Sequence, residues 1–208
     1  IFPMKAENRR LEKNPSMIDT LSRSYKITND LSHLEEKGIF LESTSSMVFD
    51  RVNSIAYVTL SPRADKSLAE EWCSENGYLP MIFETESHTG QSIYHTDVLM
   101  YVGTEMIGIC LDVIKEPFRN DVKKLVEKTH DLMEIEGPQL LSFCGNCLEV
   151  INKNKEPLLV MSSRSESALT KVQRDKINRF YKDIIHSDLT TIEKYGGGSA
   201  RCMLSELF

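Results

Sequence analysis

The chain has 208 residues, of which 40% are hydrophobic, and its formal net charge at pH 7 is −6. This length and hydrophobic content can bury one sizeable core, so we expect a single catalytic domain over residues 1–208. The negative charge argues against a nucleic-acid surface, because phosphate binding needs clustered Lys and Arg. No apolar run approaches the roughly 20 residues that span a bilayer, which argues against a membrane protein. Five cysteines without a disulfide-framework spacing predict a cytoplasmic protein.

The first half of the chain alternates short helices with short strands. An apolar pattern of helical spacing, with Pro15 early in it, predicts a helix over 15–25, and Gly38 ends a helical turn over 31–37. The pair Asn76-Gly77 is a typical helix end and predicts a helix over 64–76. Strands are predicted at Val48, over 55–60 and over 79–83.

The second half repeats this alternation. A hairpin is predicted with strands over 98–102 and 106–111, followed by a helix over 119–133. Further strands are predicted over 140–143, 147–151 and 158–161, then a helix over 167–185 and final strands over 189–192 and 200–204. Strand–strand–helix–strand units therefore recur at a spacing of roughly 50 to 70 residues.

The most informative segment lies near the carboxyl end, where three glycines precede Cys202 in the run Gly-Gly-Gly-Ser-Ala-Arg-Cys-Met from Gly196 to Met203. Glycines clear one side of the backbone, which lets a ligand approach the thiol. A cysteine attacks as the thiolate, whose formation nearby cations favour, and Arg201 is one such cation. The alternative is a buried structural cysteine after a glycine-rich turn.

A second segment, Ile93-Tyr94-His95-Thr96-Asp97-Val98-Leu99-Met100, carries a histidine and a carboxylate into an apolar run. On a strand, residues i and i+2 share a face, so His95 and Asp97 are predicted to address one pocket. Ionisable side chains at such a position are costly unless they are paired or functional. The alternative is an edge strand at the surface with a satisfied histidine.

Two charged residues precede this segment. Glu42 follows an apolar pair and precedes Ser43 and further small polar residues, and Arg63 follows the strand predicted over 55–60. Taken singly, Glu42 is typical of a solvated turn carboxylate and Arg63 of a surface charge.

The pair Cys144-x-x-Cys147 frames Asn146 and is typical of a zinc or redox motif. Zinc would need a second pair of ligands at suitable spacing, which the remaining histidines do not offer. Two buried thiols flanking a turn are therefore the preferred interpretation, with no metal site.

Together these segments resemble the guanidino-group-modifying superfamily: arginine deiminases, dimethylarginine hydrolases, amidinotransferases and, most similar, a bacterial citrulline-utilisation hydrolase group. The resemblance runs from the segment Pro3-Met4-Lys5-Ala6-Glu7-Asn8-Arg9-Arg10 through Leu60-Ser61-Pro62-Arg63 to the cysteine segment. It depends on the order Glu, Arg, His-x-Asp and Gly-Gly-Gly-x-x-Arg-Cys.

The resemblance implies a catalytic set of Cys202 as nucleophile, His95 as proton shuttle and Glu42. It further implies that Asp97, with Glu42, holds the planar nitrogen group of the substrate. Substrate-binding roles are expected for Arg63, at the α-carboxylate, and for Asn146 and Arg201. Carboxylates beside His95 favour its protonated form, which is expected to lower the pKa of Cys202. No metal or organic cofactor is implied.

The fold implied by the resemblance is an α/β propeller of five ββαβ units with the active site in its central channel. Three to four units are expected here, because the chain opens on an apparent strand, Ile1-Phe2-Pro3-Met4, and nothing matches a further N-terminal module of the family. An incomplete propeller would leave open sheet faces, so association into a homo-oligomer is expected. Ser43 and Ser45 stand where relatives often have glycines, which leaves the local path at Glu42 open.

Three functions remain open from the sequence. A hydrolase of a guanidino or ureido amino acid comes first, with citrulline the leading substrate and arginine next. An amidinotransferase would use the same covalent step and deliver the group to an amine. A non-catalytic binding protein of this fold, as in the ribosome anti-association factors, would lack the Cys, His and acid set that this chain has.

Overall fold

A computed structural model describes residues 1–206 of the chain. Before the first sheet the chain forms short helices only: α1 (Glu7–Arg10), α2 (Pro15–Ser22), a 3₁₀ turn (Ser32–Lys37) and α3 (Ser43–Ser46). Asn14 caps α2 by accepting from the Met17 amide, and Gly38 ends the 3₁₀ turn in the left-handed conformation with φ 71°. The strand predicted at the start is wrong, since Pro3 only accepts a single backbone bond from Leu41.

The first sheet follows as β1 (Met47–Asp50), β2 (Ile55–Thr59) and, after helix α4 (Lys66–Asn76), β3 (Leu79–Phe83). β1 pairs antiparallel with β2, and β3 pairs parallel with β2. The side chain of Asp65 caps the start of α4 and Gly77 ends it with φ 74°. The predicted elements of this region are confirmed, with small differences at their ends.

The second sheet repeats this pattern. The short helix α5 (Thr96–Leu99) leads into β4 (Met100–Val102) and β5 (Met106–Ile109), which form an antiparallel hairpin. A 3₁₀ turn (Leu111–Val113) and helix α6 (Phe118–Thr129) then return the chain to β6 (Asp131–Glu134), which is parallel to β5. The helix predicted over 119–133 is therefore too long: His130 is extended with φ −143°, which ends α6.

The third sheet consists of β7 (Leu148–Ile151), β8 (Pro157–Ser162) and β9 (Asp183–Ser187), preceded by helix α7 (Gly137–Leu140). Between β8 and β9 lie α8 (Ser163–Ala168) and α9 (Lys171–Phe180), so the single helix predicted over 167–185 is wrong. The extended backbone of Leu169 ends α8, and a capping box formed by Thr170 and Gln173 then begins α9 as a separate helix. The chain ends in α10 (Thr190–Gly196) and a 3₁₀ turn (Arg201–Met203).

Three predicted strands are wrong, because residues 140–143, 189–192 and 200–204 fold into helices or turns. Each of these stretches holds only a few apolar residues and pairs with no neighbouring strand in the described part of the chain. Apolar runs this short do not distinguish a strand from a helical turn.

The predicted strand–strand–helix–strand unit is confirmed three times, in sheets with the same antiparallel-then-parallel strand order. Their first strands begin at Met47, Met100 and Leu148. The mixed α/β class is confirmed, while closure of such units into a propeller stays a prediction. The main core lies between the sheets and includes the fully buried side chains of Tyr57, Tyr101 and Leu159. Among residues 1–206, no helix has the length and apolar character to cross a membrane.

Candidate active site

The candidate site is built from irregular turns that stand just before the first strands of the units. Glu42 precedes α3, Asp97 lies in α5, and Asn146 lies two residues before β7. These turns are bonded to one another: Thr96 Oγ1 donates to the Ser46 carbonyl at 2.5 Å, and Asn146 Nδ2 donates to the Asp97 carbonyl at 2.9 Å. The 3₁₀ turn that carries Cys202 completes the group.

Cys202 lies on this turn and not on the predicted strand. Its sulfur accepts from Asn146 Nδ2 at 3.2 Å and lies 3.7 Å from Asp97 Oδ2. Gly198 packs directly against it, because a Cβ at this position would lie 3.0 Å from Cys202 Sγ. The expectation that glycine clears the backbone beside the thiol therefore agrees with the packing.

The resting thiol of Cys202 is not activated. Burial raises its pKa, and the nearby Asp97 carboxylate raises it further, while a backbone hydrogen bond from Ser199, the Asn146 amide and the charge of Arg9 act in the opposite direction. The expected lowering is therefore not present in the ligand-free protein. The sulfur will be a thiolate only when something offsets burial and Asp97.

His95 and Asp97 are brought together by a helical turn, which corrects the prediction of a strand. His95 has an extended backbone at the start of α5, with φ −136°, and Asp97 follows within its first turn. Burial raises the pKa of Asp97, against the influence of His95, Arg201, Cys202 and Ser45. Its Oδ1 is buried without a hydrogen-bond partner among residues 1–206.

Glu42 is fully buried and holds His95. Its Oε2 lies 2.6 Å from His95 Nε2, and its Oε1 accepts from the Lys5 amide at 2.8 Å. Arg63 Nη1 and Arg9 Nη1 lie 3.4 Å and 3.6 Å from Oε2. Burial would raise the pKa of Glu42, but the bonds to His95 and Lys5 and the charges of His95 and Arg63 outweigh it and lower this pKa to about 2.

The local path after Glu42 explains the departure from the family pattern. Ser43 adopts φ 53°, a left-handed conformation in which glycine is unstrained. Ser43 therefore adopts the backbone conformation that a glycine would favour at this position. Ser45 lies within α3.

A cavity of about 430 Å³ opens onto the sulfur and the imidazole. Of the predicted residues, Cys202, His95 and Arg63 line it, whereas Glu42, Asp97 and Asn146 are buried behind its surface. The sequence interpretation missed Arg9, Asn8 and Tyr94, which line the same cavity. Arg9 and Asn8 fall inside the N-terminal segment that carried the resemblance, and this was the only signal for them.

Tyr94 joins two walls of this cavity. Its hydroxyl donates to the Gly197 carbonyl at 2.9 Å, and the Arg63 guanidinium lies 5.1 Å from its ring centroid. The ring therefore supports Arg63 by a cation–π contact while its hydroxyl holds the glycine segment before Cys202.

Arg201 lies behind the site rather than in the cavity. Its guanidinium is buried, with Nε 4.0 Å from Asp97 Oδ2 and Nη2 3.3 Å from Glu206 Oε2. Its backbone amide donates to Asn146 Oδ1 at 3.1 Å. The side chain thus faces Asp97 and Glu206, and its predicted role in binding the substrate stays a prediction.

Cys144 and Cys147 are buried free thiols. The Cys147 thiol donates to the Cys144 carbonyl at 3.2 Å, and the Cys144 thiol donates to the Ser165 carbonyl at 3.4 Å. In the described part of the chain no group of three His, Cys, Asp or Glu side chains is arranged to hold a metal ion.

Comparison with solved structures shows the fold. The apo structure of ArgZ, an arginine dihydrolase from the ornithine-ammonia cycle in cyanobacteria, superposes with a TM-score of 0.75 at 11% identity, covering 100% of this chain and 31% of ArgZ. The substrate-bound N-terminal domain of ArgZ gives 0.73 at 13% identity, with 97% and 67% covered. An adduct of dimethylarginine dimethylaminohydrolase with 4-chloro-2-hydroxymethylpyridine gives 0.59 at 18% identity, with 98% and 70% covered.

The chain thus spans about a third of the length of ArgZ and about two thirds of its N-terminal domain. No curated protein matches the chain. The sequence matches the family described as N,N dimethylarginine dimethylhydrolase, eukaryotic, over residues 1–208. The chain belongs to this family, and the predicted guanidino-group-modifying superfamily is thereby confirmed.

Proposed function

We propose that this protein hydrolyses a C–N bond at the guanidino carbon of an arginine-like amino acid through a covalent intermediate on Cys202. The observation that carries the proposal is the placement of the Cys202 sulfur and the His95 imidazole in one cavity, with the Asp97 carboxylate 3.7 Å from the sulfur. A nucleophile, a proton carrier and an acceptor for planar N–H groups are the parts that this chemistry needs.

Asp97 is the group that binds the reacting end of the substrate. Its Oδ1 is buried and unpartnered within residues 1–206, and a guanidinium presents N–H donors in one plane. A cation bound there would offset the carboxylate that now raises the pKa of Cys202. The substrate would then generate the thiolate that attacks it. This favours a cationic guanidinium over the neutral ureido group of citrulline.

The other end of the substrate faces two cations. Arg9 and Arg63 line the same cavity, and both guanidinium groups lie within 3.6 Å of the buried Glu42 carboxylate. One carboxylate shared by two arginines leaves donors free for a second carboxylate, so an α-amino acid fits this end. The predicted role of Arg63 is thus extended to Arg9.

The reaction balances with the residues present. The Cys202 thiolate adds to the guanidino carbon, and the departing amine takes a proton from His95 as its C–N bond breaks. Water then gives one proton to His95 and its oxygen to the same carbon. The C–S bond breaks to release the thiolate, and the remaining hydroxyl proton passes to the departed amine or to solvent as the ureido product forms. Glu42, whose two oxygens are bonded to His95 and to the Lys5 amide, orients the imidazole.

A product assay on the purified protein tests the proposal. N,N-dimethylarginine and arginine are each expected to give citrulline, with release of dimethylamine or ammonia, and citrulline is expected to be the poorer substrate. Cys202→Ala serves as the matched blank. Transfer of the amidino group to an added amine would establish an amidinotransferase instead, and no product from any of these substrates would overturn the proposed activity.

A further inference from the structure

The glycine segment before the nucleophile, residues 196–198, has no side chains of its own and is bonded to Tyr94. The Tyr94 hydroxyl donates to the Gly197 carbonyl at 2.9 Å. Within residues 1–206, no other side chain hydrogen-bonds to Gly197 or Gly198. Gly198 packs against the nucleophile, because a Cβ at this position would lie 2.9 Å from Cys202 Cβ. The tyrosine hydroxyl therefore holds the segment against which the Cys202 side chain rests.

Tyr94 is also bound to Arg63, through its ring and through its backbone. The Arg63 guanidinium carbon lies 5.1 Å from the ring centroid, and a cation over an aromatic face is attracted to it. The Ser61 hydroxyl joins the two backbones, since it donates to the Tyr94 carbonyl at 2.8 Å and accepts from the Arg63 amide at 3.0 Å. A continuous series of contacts thus runs from Arg63 through Tyr94 to Gly197.

We propose that Tyr94 is a positioning residue, which couples binding of the substrate carboxylate at Arg63 to the ordering of the segment that carries Cys202. This inference rests on the proposed function, in which Arg63 faces the carboxylate end of the substrate. A bound carboxylate fixes the Arg63 guanidinium, the guanidinium fixes the ring, and the hydroxyl then fixes Gly197. Glycines lose more conformational freedom on ordering than other residues, so this segment responds most to such a contact.

The consequence of this coupling is specificity in the chemical step. A guanidino compound that carries a carboxylate orders the segment beside the sulfur, and one that lacks the carboxylate does not. Because correct placement of the attacking group lowers the barrier, the first compound is turned over faster, even when both are saturating.

Hydrogen exchange of the peptide that contains residues 196–202 tests the coupling without turnover. L-Norvaline is the probe, because it has the α-amino and carboxylate groups of arginine and no guanidino group to bind beside Cys202. At saturation it is expected to slow exchange in this peptide at least about threefold, and butylamine, which lacks the carboxylate, is expected to leave it unchanged. Tyr94→Phe keeps the ring beside Arg63 and removes the donor to Gly197, so this variant should show no slowing.

Tyr195→Phe is the matched control, since Tyr195 lies near the end of α10 and is 78% exposed. It should show the same slowing as the unaltered protein. The buried strands β2 and β5 report folding in the same data, because their amides exchange slowly only while the protein is folded. Equal exchange of the segment with and without norvaline in the unaltered protein, or slowing that persists in folded Tyr94→Phe, would overturn the inference.

Steady-state kinetics with arginine and agmatine, which is arginine without its carboxylate, measure the effect on specificity. Tyr94→Phe is expected to lower kcat for arginine about tenfold, while KM for arginine and kcat for agmatine stay within about twofold of the unaltered protein. An equal fall in kcat for both substrates would mean that Tyr94 only supports the structure of the site, and would overturn the coupling.

The two measurements separate this inference from the proposed function. Slowing by norvaline that is lost in Tyr94→Phe, in a protein that converts no guanidino compound, would support the coupling and contradict the proposed activity. Turnover of arginine by a protein whose segment 196–202 never responds to norvaline would support the activity and overturn the coupling.

Discussion

The three sheets and the turns that precede them are held together by different kinds of contact. The strands are regular, and those of the first sheet, β1 and β2, are buried along their whole length and held by backbone ladders. The turns are four-residue helices or 3₁₀ segments whose contacts come from side chains, such as Thr96 to Ser46 and Asn146 to Asp97. The sheets thus set the distances between the turns, and the turns supply the chemistry.

The turns also carry a connected set of buried polar groups. Glu42, His95, Asp97 and Asn146 are each no more than 2% exposed, and each is bonded to a residue from a different turn or from the N-terminal segment. Buried groups of this kind are stable only as a connected set. Changes in the turns should therefore affect the reaction strongly, while changes in the sheets should affect stability.

The largest difference between a loss of activity and a loss of stability is expected for Cys202→Ala, a change in the turns. It removes one sulfur from a half-buried side chain, so turnover and alkylation at this position should both be lost while thermal unfolding stays close to that of the unaltered protein. Activity of the variant should be down by at least about 10³-fold, because nothing else in the cavity can form the covalent intermediate. Measurable turnover by the purified variant would remove the nucleophile assignment.

A smaller loss is expected for His95→Gln, which keeps a polar partner near Glu42. Loss of the proton carrier should lower kcat by about 10²–10⁴-fold with KM nearly unchanged, since His95 protonates the leaving group and does not bind the substrate tail. Steady-state kinetics on the substrate found in the product assay would check this. An unchanged kcat would contradict the proton-shuttle role.

The regular part of the fold was predictable because its pattern is periodic. Apolar positions and the end signals Asn76-Gly77 and Pro15 place α2, α4 and the first two strands of each unit to within a few residues. The last strands of the second and third units, β6 and β9, were missed because their residues were assigned to the preceding helices. The turns gave no such signal. The helical turn Thr96–Leu99 ends in apolar residues and therefore resembles the start of β4. Residues 189–192 were predicted as a strand from Leu189 and Ile192, although α10 begins at Thr190 and includes Ile192. A single helical turn between polar residues has no period to detect.

The site residues could be identified only through the order of motifs along the chain. His95 and Asp97 were placed in one pocket on wrong local grounds, because their segment was assigned to a strand, whereas Asp97 lies in a helical turn that His95 precedes. Cys202 was likewise assigned to a strand and lies in a 3₁₀ turn. Arg9 was missed because its contact with Glu42 joins residues far apart in the chain, and no spacing rule describes it. Long-range convergence of this kind depends on the sheets, whose register the sequence does not specify.

The buried carboxylate of Glu42, in the turns, should make the stability of the protein sensitive to acid. The pKa of Glu42 in the fold is about 2, below the ordinary value of about 4.3 for a glutamate. The stability that this carboxylate supplies is complete above the ordinary value and is lost as the pH falls towards 2. The difference corresponds to on the order of 3 kcal/mol, reached through bonds to His95 and Lys5.

Chemical unfolding between pH 6 and pH 2.5 would measure this loss. The unaltered protein should lose stability steeply over that range, and Glu42→Gln should start lower and show a shallower slope. Glu127→Gln, an exposed change on α6, should keep the full slope. Equal slopes in all three proteins would mean that Glu42 is not held by the contacts described for it.

The smallest of these effects tests the contact between two turns. A Cβ on Gly145 would lie 2.5 Å from the Val98 carbonyl oxygen and 2.7 Å from the Leu99 carbonyl carbon, which are backbone atoms that cannot rotate away. Gly145→Ala should therefore push the turn of Asn146 from α5 and cost about 1–3 kcal/mol of unfolding free energy. Gly137→Ala, where a Cβ would meet nothing within 4 Å, should be nearly neutral.

Activity distinguishes a local shift from general destabilisation in these glycine variants. If the turns position the reacting groups, Gly145→Ala should lower kcat at temperatures where the protein remains fully folded, because Asn146 carries bonds to both Asp97 and Cys202. Equal kcat values for the two glycine variants, with a lower melting temperature for Gly145→Ala, would assign this contact to stability alone. Gly145 would then belong to the part of the fold that supplies stability, and not to the part that positions the reacting groups.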